Sequence, residues 1–257
     1  MLNFKTASFL FLPAIAVCIF FNCYSGLSLC YTLIPIIIYK ALIILGSANI
    51  QSNFFTQTYC SSNTTEKKIA ITFDDGPNPH YTQEVLELLK EYNAPATFFV
   101  IGKNIKGNEG LLKKMDAAGH IIGNHTFSHS FFIDFKSKLG FMFELDQTSD
   151  LVFSAIGKRM RFFRPPYGVT TPNLASASKA LNYSIIGWNI RSLDTKKEKE
   201  EIVFNRVKAQ AKPGAVILFH DTSAKSVNVL KQTLNFAKEN GFIVVSTAEL
   251  FKLNAYD

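Results

Sequence analysis

The chain has 257 residues, a formal net charge of +7 and 47% hydrophobic residues. This length is enough for one domain of roughly 190 residues with an N-terminal appendage. The lysine-rich stretch 196–199 is mixed in sign, and no recognised nucleic-acid-binding motif accompanies the charge, so we expect no nucleic-acid partner. Three of the four cysteines lie within the first 30 residues, which excludes a disulfide framework for the rest of the chain.

Two apolar stretches, residues 6–22 and 26–45, dominate the N-terminal region, and Lys40 is the one charge within them. A bilayer core needs about 17–25 apolar residues per helix, so both stretches are long enough to cross a membrane. We predict a membrane-anchoring segment over residues 1–46, in which two helices form a hairpin, and a polar linker over residues 47–65. Two other interpretations are open: a signal peptide followed by a single anchor, and a segment lying on the membrane surface.

From residue 66 to residue 257, short apolar runs alternate with amphipathic stretches. The predicted strands cover residues 69–73, 96–101, 120–123, 161–163, 183–188, 215–219 and 242–245, and the predicted helices cover residues 82–92, 109–118, 137–156, 173–181, 198–211 and 226–239. Repeated βα units with almost continuously apolar strands favour a parallel sheet covered by helices. We therefore predict an α/β domain in which about seven parallel strands form a closed or nearly closed barrel.

Two adjacent carboxylates, Asp74 and Asp75, follow the first predicted strand. Such neighbours point in divergent directions, and they repel each other unless a cation neutralises one of them. His125 and His129 follow the third strand four residues apart, so they share a face if that segment turns helically. One carboxylate and two histidines form a three-ligand set with a position open for water, as in catalytic zinc sites. We assign Asp75 and both histidines to a metal, and Asp74 to the role of general base.

Arg164 opens a stiff loop, Arg164-Pro165-Pro166-Tyr167-Gly168, after the fourth predicted strand. In a parallel barrel this loop lies at the same end as the two carboxylates, which is where the chemistry of such barrels takes place. We expect the guanidinium of Arg164 to pair with Asp74 and keep it ionised. We also expect the rigid loop to aim the backbone N–H of Tyr167 at an oxyanion.

His220 ends an apolar strand, and Asp194 lies beyond the fifth strand at the same end of the barrel. A histidine at this position is able to protonate a leaving amine, the step that amide hydrolysis most needs. Leu218 faces the same side two residues earlier and is expected to bound a small acyl pocket. His80 and His120 are spare histidines with exposed or structural roles.

Each motif also has an ordinary structural explanation when it is taken alone. The carboxylates suit a solvated Asp-Gly-Pro turn, the histidine pair a partly buried couple, the proline loop a simple turn, and His220 a hydrogen-bonded core position. Five polar clusters at one end of a barrel are nevertheless more than core packing requires.

The order and spacing of these motifs resemble those of the polysaccharide deacetylases of carbohydrate esterase family 4, the NodB-homology domain, from about residue 68 to residue 253. The matching runs are Thr-Phe-Asp74-Asp75-Gly, His125-x-x-x-His129, Arg164-Pro-Pro-Tyr167 and Leu218-Phe-His220. The resemblance implies a deformed (β/α) barrel that binds one divalent metal ion, usually Zn²⁺, although an Asp-His-His set also accepts Co²⁺, Mn²⁺ or Ni²⁺. The roles that it implies for ligands, base, acid and oxyanion donor agree with those assigned above.

The fourth motif of that family, Asp-x-x-Asp-Trp, is altered here. Arg191 replaces the first acid and Thr195 replaces the tryptophan, while Asp194 keeps the second acid. We expect Asp194 to retain a tuning role in catalysis and the wall of the substrate groove near it to differ. Trp188 and Pro166, together with Leu218, are expected to contact the substrate.

The sequence therefore predicts a membrane-anchored, metal-dependent hydrolase that removes acetyl groups from N-acetylated sugars, with cell-wall polysaccharide as the favoured substrate. Its expected partners are a glycan with N-acetylhexosamine units and membrane lipid. We expect the catalytic domain to be extracytoplasmic, although Lys5, Lys67 and Lys68 around an uncharged turn give the positive-inside rule no direction. The alternatives are an O-acetyl esterase of the same family that acts on xylan, a catalytically silent carbohydrate-binding protein, and a metal site that serves structure alone.

Overall fold

A computed structural model describes residues 2–257, and its first two elements are long apolar helices. Helix α1 spans Phe4–Ser25 and helix α2 spans Leu29–Ala48. At 1.5 Å per residue each is about 30 Å long, which matches the hydrocarbon core of a bilayer. Only 6% and 11% of their apolar windows are buried, and by length and composition both helices are able to cross a membrane. Gly26 ends α1 in a left-handed conformation, so α2 begins three residues later than the sequence predicted.

Nine parallel strands form the sheet that follows. They are β1 (Thr58–Tyr59), β2 (Lys68–Asp74), β3 (Ala96–Val100), β4 (Ile121–Asn124), β5 (Phe162–Phe163), β6 (Ser184–Ile186), β7 (Ile190–Arg191), β8 (Ala215–His220) and β9 (Ile243–Val244). The order is β1-β6-β5-β4-β3-β2-β8-β7, and β9 pairs with the start of β2. The predicted parallel α/β barrel is confirmed.

The sheet curls so far that strands β6 and β7, near opposite ends of the strand order, are neighbours along the chain. Strands β6 and β7 lie on one stretch of chain, residues 184–191, yet β6 pairs with β5 and β7 pairs with β8. The sequence predicted one strand over residues 183–188, but β6 ends at Ile186 and β7 begins beyond the predicted strand at Ile190. Between them the side chain of Asn189 replaces a backbone partner: its Oδ1 accepts a hydrogen bond from the Val216 N–H at 2.8 Å. This interruption at residues 187–189 is the seam of the barrel.

Helices cover the outer face of the sheet. They are α3 (Tyr81–Glu91), α4 (Glu109–Ala117), α5 (Lys138–Ile156), α6 (Pro172–Ala180), α7 (Glu200–Gln210), α8 (Ala224–Glu239) and α9 (Thr247–Phe251). Alternate residues of each long strand face these helices, and Ile71, Phe73, Ile217 and Phe219 belong to the resulting core. The other face of the strands lines the interior of the barrel.

Residues 47–65, predicted as a linker, pack against the barrel. Strand β1 pairs with β6, and Ile50 and Cys60 are buried beside Trp188. The serine- and asparagine-rich composition hides these few apolar positions, because a two-residue strand leaves no periodic pattern.

Candidate active site

The carboxyl ends of β2, β4, β5 and β8 converge at one mouth of the barrel. Asp74 at the end of β2 lies in register with His220 at the end of β8. Asn124 at the end of β4 lies in register with Phe163 at the end of β5. The loops that leave these four strands therefore bring the predicted aspartates, histidines and Arg164 to one place.

Three of these side chains form a set of metal-ligand donors. Asp75 Oδ1 lies 3.5 Å from His125 Nε2 and 3.3 Å from His129 Nε2, and the three donor atoms all lie within 4.8 Å of one another. Among residues 2–257 the buried Asp75 Oδ1 has no hydrogen-bond partner. A tetrahedral zinc ion with bonds of 2.0–2.1 Å separates its ligands by about 3.4 Å. The spacing and the unpartnered oxygen thus fit a divalent cation of this size.

The conformation of the Asp75 backbone separates the two carboxylates. Asp75 has a φ of 72°, a left-handed conformation that aspartate tolerates better than most residues. The side chain of Asp74 remains on the interior face of the barrel and is 4% exposed, whereas that of Asp75 faces the histidines. Burial alone would raise the pKa of Asp75, but the imidazoles of His125, His220 and His129 hold it well below its usual range.

The two histidines converge through a bent loop and not through the helical turn that the sequence predicted. Thr126 and His129 have φ values of 66° and 45°, so residues 125–129 fold back on themselves. The His125 Nδ1 lies 2.7 Å from the carbonyl oxygen of Arg164. Because a carbonyl only accepts, Nδ1 carries the proton, and Nε2 presents its lone pair to the site. Burial lowers the pKa of His129 and favours the neutral form that binds metals.

Glu144 on α5 holds this histidine loop in place, and sequence reasoning missed it. Its carboxylate accepts hydrogen bonds from the backbone N–H groups of Phe127 and Ser128 at 3.0 and 2.7 Å and from the Ser128 hydroxyl at 2.9 Å. The side chain is buried in the middle of a long helix. Nothing in the local sequence distinguishes it from an exposed helical glutamate, since its partners lie 16 and 17 residues earlier in the chain.

Arg164 occupies the interior of the barrel and is fully buried. Its Nη1 donates to Asp74 Oδ1 and to Thr72 Oγ1, each at 2.8 Å. Its Nε and Nη2 donate to the carbonyls of Ile186 and Gly187 at 3.0 and 2.7 Å, across the seam of the barrel. A buried ion pair is tolerated when its remaining polar atoms find partners, and each of the three guanidinium nitrogens has an acceptor here. The second oxygen of Asp74 lies 3.8 Å from His125 Nε2, next to the candidate metal position.

His220 is held by Asp194 at the opposite side of the mouth. Asp194 accepts from the His220 N–H and lies against its Nδ1, both at 2.8 Å, and it is completely buried. Ser192 Oγ donates to the same carboxylate at 2.9 Å. Burial alone would lower the pKa of His220, but the hydrogen bond and charge of Asp194, with the charges of Asp74 and Asp75, raise it to about 9. The free Nε2 faces Asp75 Oδ2 at 3.9 Å.

Tyr167 lies at the rim of the site. It has a φ of 59° between Pro166 and Gly168, and its ring meets that of His129 edge-on at 4.9 Å. Pro166 is buried in the same turn. Gly168 sits against Trp188, and a Cβ at this position would lie 2.5 Å from the indole ring. The loop is therefore packed closely over the interior of the barrel.

The remaining predicted substrate contacts lie deeper or further out. Leu218 and Trp188 are 2% and 7% exposed in the barrel interior, with Leu218 two residues below His220 on the same strand face. Arg191 is exposed and places its guanidinium 5.8 Å from the Trp188 ring, and Thr195 is also exposed. The altered fourth motif therefore changes the surface of the groove and leaves the buried carboxylate in place.

Comparison with known proteins agrees with this geometry. The family profile for polysaccharide deacetylases matches residues 61–186. The peptidoglycan-N-acetylmuramic acid deacetylase PdaA of Bacillus subtilis is 34% identical over 194 residues, covering 73% of each chain. A peptidoglycan-N-acetylglucosamine deacetylase of Bacillus cereus is 35% identical over 192 residues, covering 73% of this chain and 89% of the relative.

Solved structures show the same fold. The crystal structure of the Bc1960 peptidoglycan N-acetylglucosamine deacetylase superposes with a TM-score of 0.74 and 29% sequence identity, covering 78% of this chain and 95% of that one. The curled parallel barrel, the order of its motifs and these relatives lead to one conclusion. The chain belongs to the polysaccharide deacetylase family and is a hydrolase of that class.

Proposed function

We propose that this protein removes acetyl groups from the N-acetylated sugars of peptidoglycan, using one divalent cation, with Zn²⁺ favoured over Co²⁺, Mn²⁺ and Ni²⁺. The observation that carries the proposal is the buried, unpartnered oxygen of Asp75, which faces two imidazole nitrogens beside a second carboxylate. The relatives named above act on peptidoglycan, which supports the choice of glycan.

Asp75, His125 and His129 would hold the cation, which when bound supplies Lewis acidity to the acetyl carbonyl and to water. The donor set of one carboxylate oxygen and two neutral imidazoles suits zinc and leaves at least one position for the reactants. The hydrogen bond from His125 Nδ1 to the Arg164 carbonyl orients this ligand, as outer hydrogen bonds do at other metal sites.

Asp74 acts as the general base. Its Oδ1 accepts a hydrogen bond from the Arg164 guanidinium, which fixes the carboxylate in its buried position. Its Oδ2 is the oxygen nearer to the histidines and is left to accept a proton from the attacking water. Arg164 is thus a positioning residue for the base.

His220 acts as the general acid. With its pKa raised to about 9, the imidazole is protonated at neutral pH. Asp194 binds Nδ1 and keeps the ring oriented, so that Nε2 donates a proton to the departing amine. Asp74 and His220, register partners on neighbouring strands, are thus both next to the donor set, one ready to accept a proton and the other ready to give one.

The loop containing Tyr167 completes the site. Its stiff, left-handed turn holds the Tyr167 ring against that of His129, and we assign its backbone N–H to stabilising the oxyanion of the tetrahedral intermediate. Pro166, Trp188 and Leu218 are expected to shape the pocket for the sugar and its acetyl group. Asp194 acts through His220 and does not touch the substrate.

We further propose that α1 and α2 form a membrane hairpin that anchors the barrel in contact with lipid, with the barrel on the extracytoplasmic side. Both helices have a mean hydropathy of about 2 and remain largely unburied by the rest of the protein. Peptidoglycan lies outside the cytoplasmic membrane, so the substrate assigned above favours this orientation.

The test is acetate release by the full-length protein in detergent from peptidoglycan and from N-acetylglucosamine oligomers, with zinc or with a chelator. We expect release that needs the metal and is lost in Asp74→Asn, which removes the base but retains the size of the side chain. Asp116→Asn, at an ion pair with Lys158 on the surface, is the matched control and should release acetate normally.

Release from acetylated xylan but not from N-acetyl substrates would replace the proposal with an O-acetyl esterase. Zinc binding without release from any of these substrates would favour a silent carbohydrate-binding protein. If Asp74→Asn remains active, the assignment of the base is wrong.

A further inference from the structure

The exposed large apolar side chains of the barrel are concentrated in one segment. Nine such side chains lie outside the two N-terminal helices and the chain terminus, and five of them fall between residues 131 and 143. Their exposed fractions range from 63% to 85%. This group, which we call the apolar rim, consists of Phe131, Phe132, Phe135, Leu139 and Phe143.

The apolar rim begins at the edge of the active site. The ring of Phe131 lies 6.4 Å from that of Tyr167, which in turn contacts His129. Phe132 lies 5.3 Å from Phe131 and 6.5 Å from Phe135, so the aromatic rings form a continuous row. The row continues along the first turns of α5, away from the mouth of the barrel.

The end of α2 is bonded to this same side of the barrel. Ser47 and Thr170 exchange two hydrogen bonds, at 2.6 Å from the Ser47 hydroxyl and at 3.0 Å from the Thr170 N–H. Thr170 follows Tyr167 by three residues. Asn173 then donates from its side chain to the carbonyl of Lys136, within the segment of the apolar rim, at 3.1 Å. The point where the chain leaves α2 is thus linked to the apolar rim through one short loop.

We propose that the apolar rim inserts into the interface of the bilayer that α1 and α2 cross, and that this contact holds the mouth of the barrel at the membrane surface. This inference rests on the membrane anchoring proposed above. Exposed phenylalanine and leucine side chains gain free energy when they leave water for the acyl boundary. Lys138 lies in the same segment, is exposed and is able to meet lipid headgroups, whereas Lys136 is paired with Glu144.

The composition of the apolar rim favours lipid over sugar as its occupant. Leu139 and Phe143 extend the surface along α5 beyond the Phe131 ring that borders the active site, and neither side chain offers a hydrogen-bonding group to a sugar. The one acid within residues 131–143, Asp134, has a buried Oδ1 and a partly buried side chain, so it presents little charge to the bilayer. The substrate of the anchored enzyme would then be glycan that lies close to the membrane.

The proposal is tested with the full-length protein in nanodiscs that contain phosphatidylcholine brominated near the headgroup end of its acyl chains, for residues at the membrane surface, or near the methyl end, for residues at the middle of the bilayer. Trp188 is the single tryptophan, so Trp188→Phe provides a background for one new tryptophan at a time. Phe135→Trp reports on the apolar rim, Ile202→Trp on an equally apolar exposed position elsewhere on the barrel, and Ile37→Trp on the middle of α2.

We expect brominated lipid to reduce the emission of Phe135→Trp and Ile37→Trp at least twofold and to leave Ile202→Trp unchanged. Equal emission from Phe135→Trp and Ile202→Trp would overturn the proposal. If Ile37→Trp is quenched in that case, the anchor stands and only the rim contact fails; if it is not, the anchor fails as well. A response of Phe135→Trp to soluble N-acetylglucosamine oligomers, without quenching by lipid, would assign the apolar rim to glycan and overturn the proposal. Phe132→Trp replaces Phe135→Trp if the latter does not fold, and none of these readouts depends on acetate release.

Discussion

Replacement of Asp194 by asparagine should shift the pH dependence of catalysis, because Asp194 raises the pKa of His220. In the wild-type protein this pKa is about 9, compared with an ordinary value of 6.5. The asparagine side chain would keep the size of the aspartate but would lack the charge that opposes the effect of burial. The pKa of His220 should then fall to its ordinary value or below.

The sign and size of the effect follow from the role of the acid. A general acid must be protonated, so activity is lost as the pH rises through its pKa in the folded protein. At pH 7.5, a pKa of about 9 leaves roughly 97% of His220 protonated, and a pKa of about 6.5 leaves roughly 10%. Asp194→Asn should therefore reduce kcat/KM about tenfold at pH 7.5 and move the alkaline limb of the profile down by about two pH units or more.

The assay is acetate release from N-acetylglucosamine oligomers between pH 5 and pH 10, with an NMR titration of the His220 ring as a direct readout. A bound cation lowers the alkaline limb in both proteins, so the difference between them is the quantity that tests the reasoning. Asp116→Asn serves as the surface control. An alkaline limb in folded Asp194→Asn that coincides with that of the wild type would refute the role given to Asp194.

Three further substitutions test the supports of the site. Arg164→Met should lower the free energy of unfolding by about 3–5 kcal/mol, because it leaves Asp74 buried without its partner; urea denaturation measures this. Gly168→Ala should cost about 1–3 kcal/mol more than Gly157→Ala, since both glycines have positive φ but only the Cβ at Gly168 meets another side chain. Glu144→Ala should weaken zinc binding about 10–100-fold in a chelator competition assay, because the histidine loop loses its backbone acceptor.

Each of these substitutions has a matched control. Arg161→Met removes a more exposed arginine, which pairs with Asp257. Because surface ion pairs contribute little to stability, this change should alter the free energy of unfolding by less than about 1 kcal/mol. Glu87→Gln removes an exposed carboxylate from α3 and should leave zinc affinity unchanged. Equal stability losses at Gly168 and Gly157 would show that Trp188 moves away from the new Cβ at no cost in the free energy of unfolding. Unchanged zinc affinity in Glu144→Ala would show that the loop holds its shape without the carboxylate.

Much of the barrel was predictable from sequence, because its long strands are almost continuously apolar. The limits of strands β2, β3 and β8 were predicted to within one residue. The seam was not predictable, because only the fold brings Asn189 opposite Val216. The helix α9 and strand β1 are too short to carry a periodic signal.

The residues grouped at the mouth were predictable from position as well as type, since they follow strands that end at the same side. The way the two histidines approach each other was not. Their spacing of four residues fits a helical turn, but the left-handed conformations of Thr126 and His129 produce a bend instead. Glu144 escaped notice for a related reason, because its carboxylate contacts the backbone of residues distant in sequence.

The hydrogen bonds at the seam of the barrel determine which substitutions this enzyme tolerates there. Arg164 receives two of its four acceptors from main-chain carbonyls at Ile186 and Gly187, so this half of its binding site is independent of side-chain identity. Substitution of Ile186 by other apolar residues should therefore leave the position of the base, Asp74, unchanged. Position 187 is different, because a Cβ there would collide with Cys60. An engineer who seeks to retune the chemistry therefore has little freedom at the arginine, which bonds to the chain where β6 ends as well as to β2.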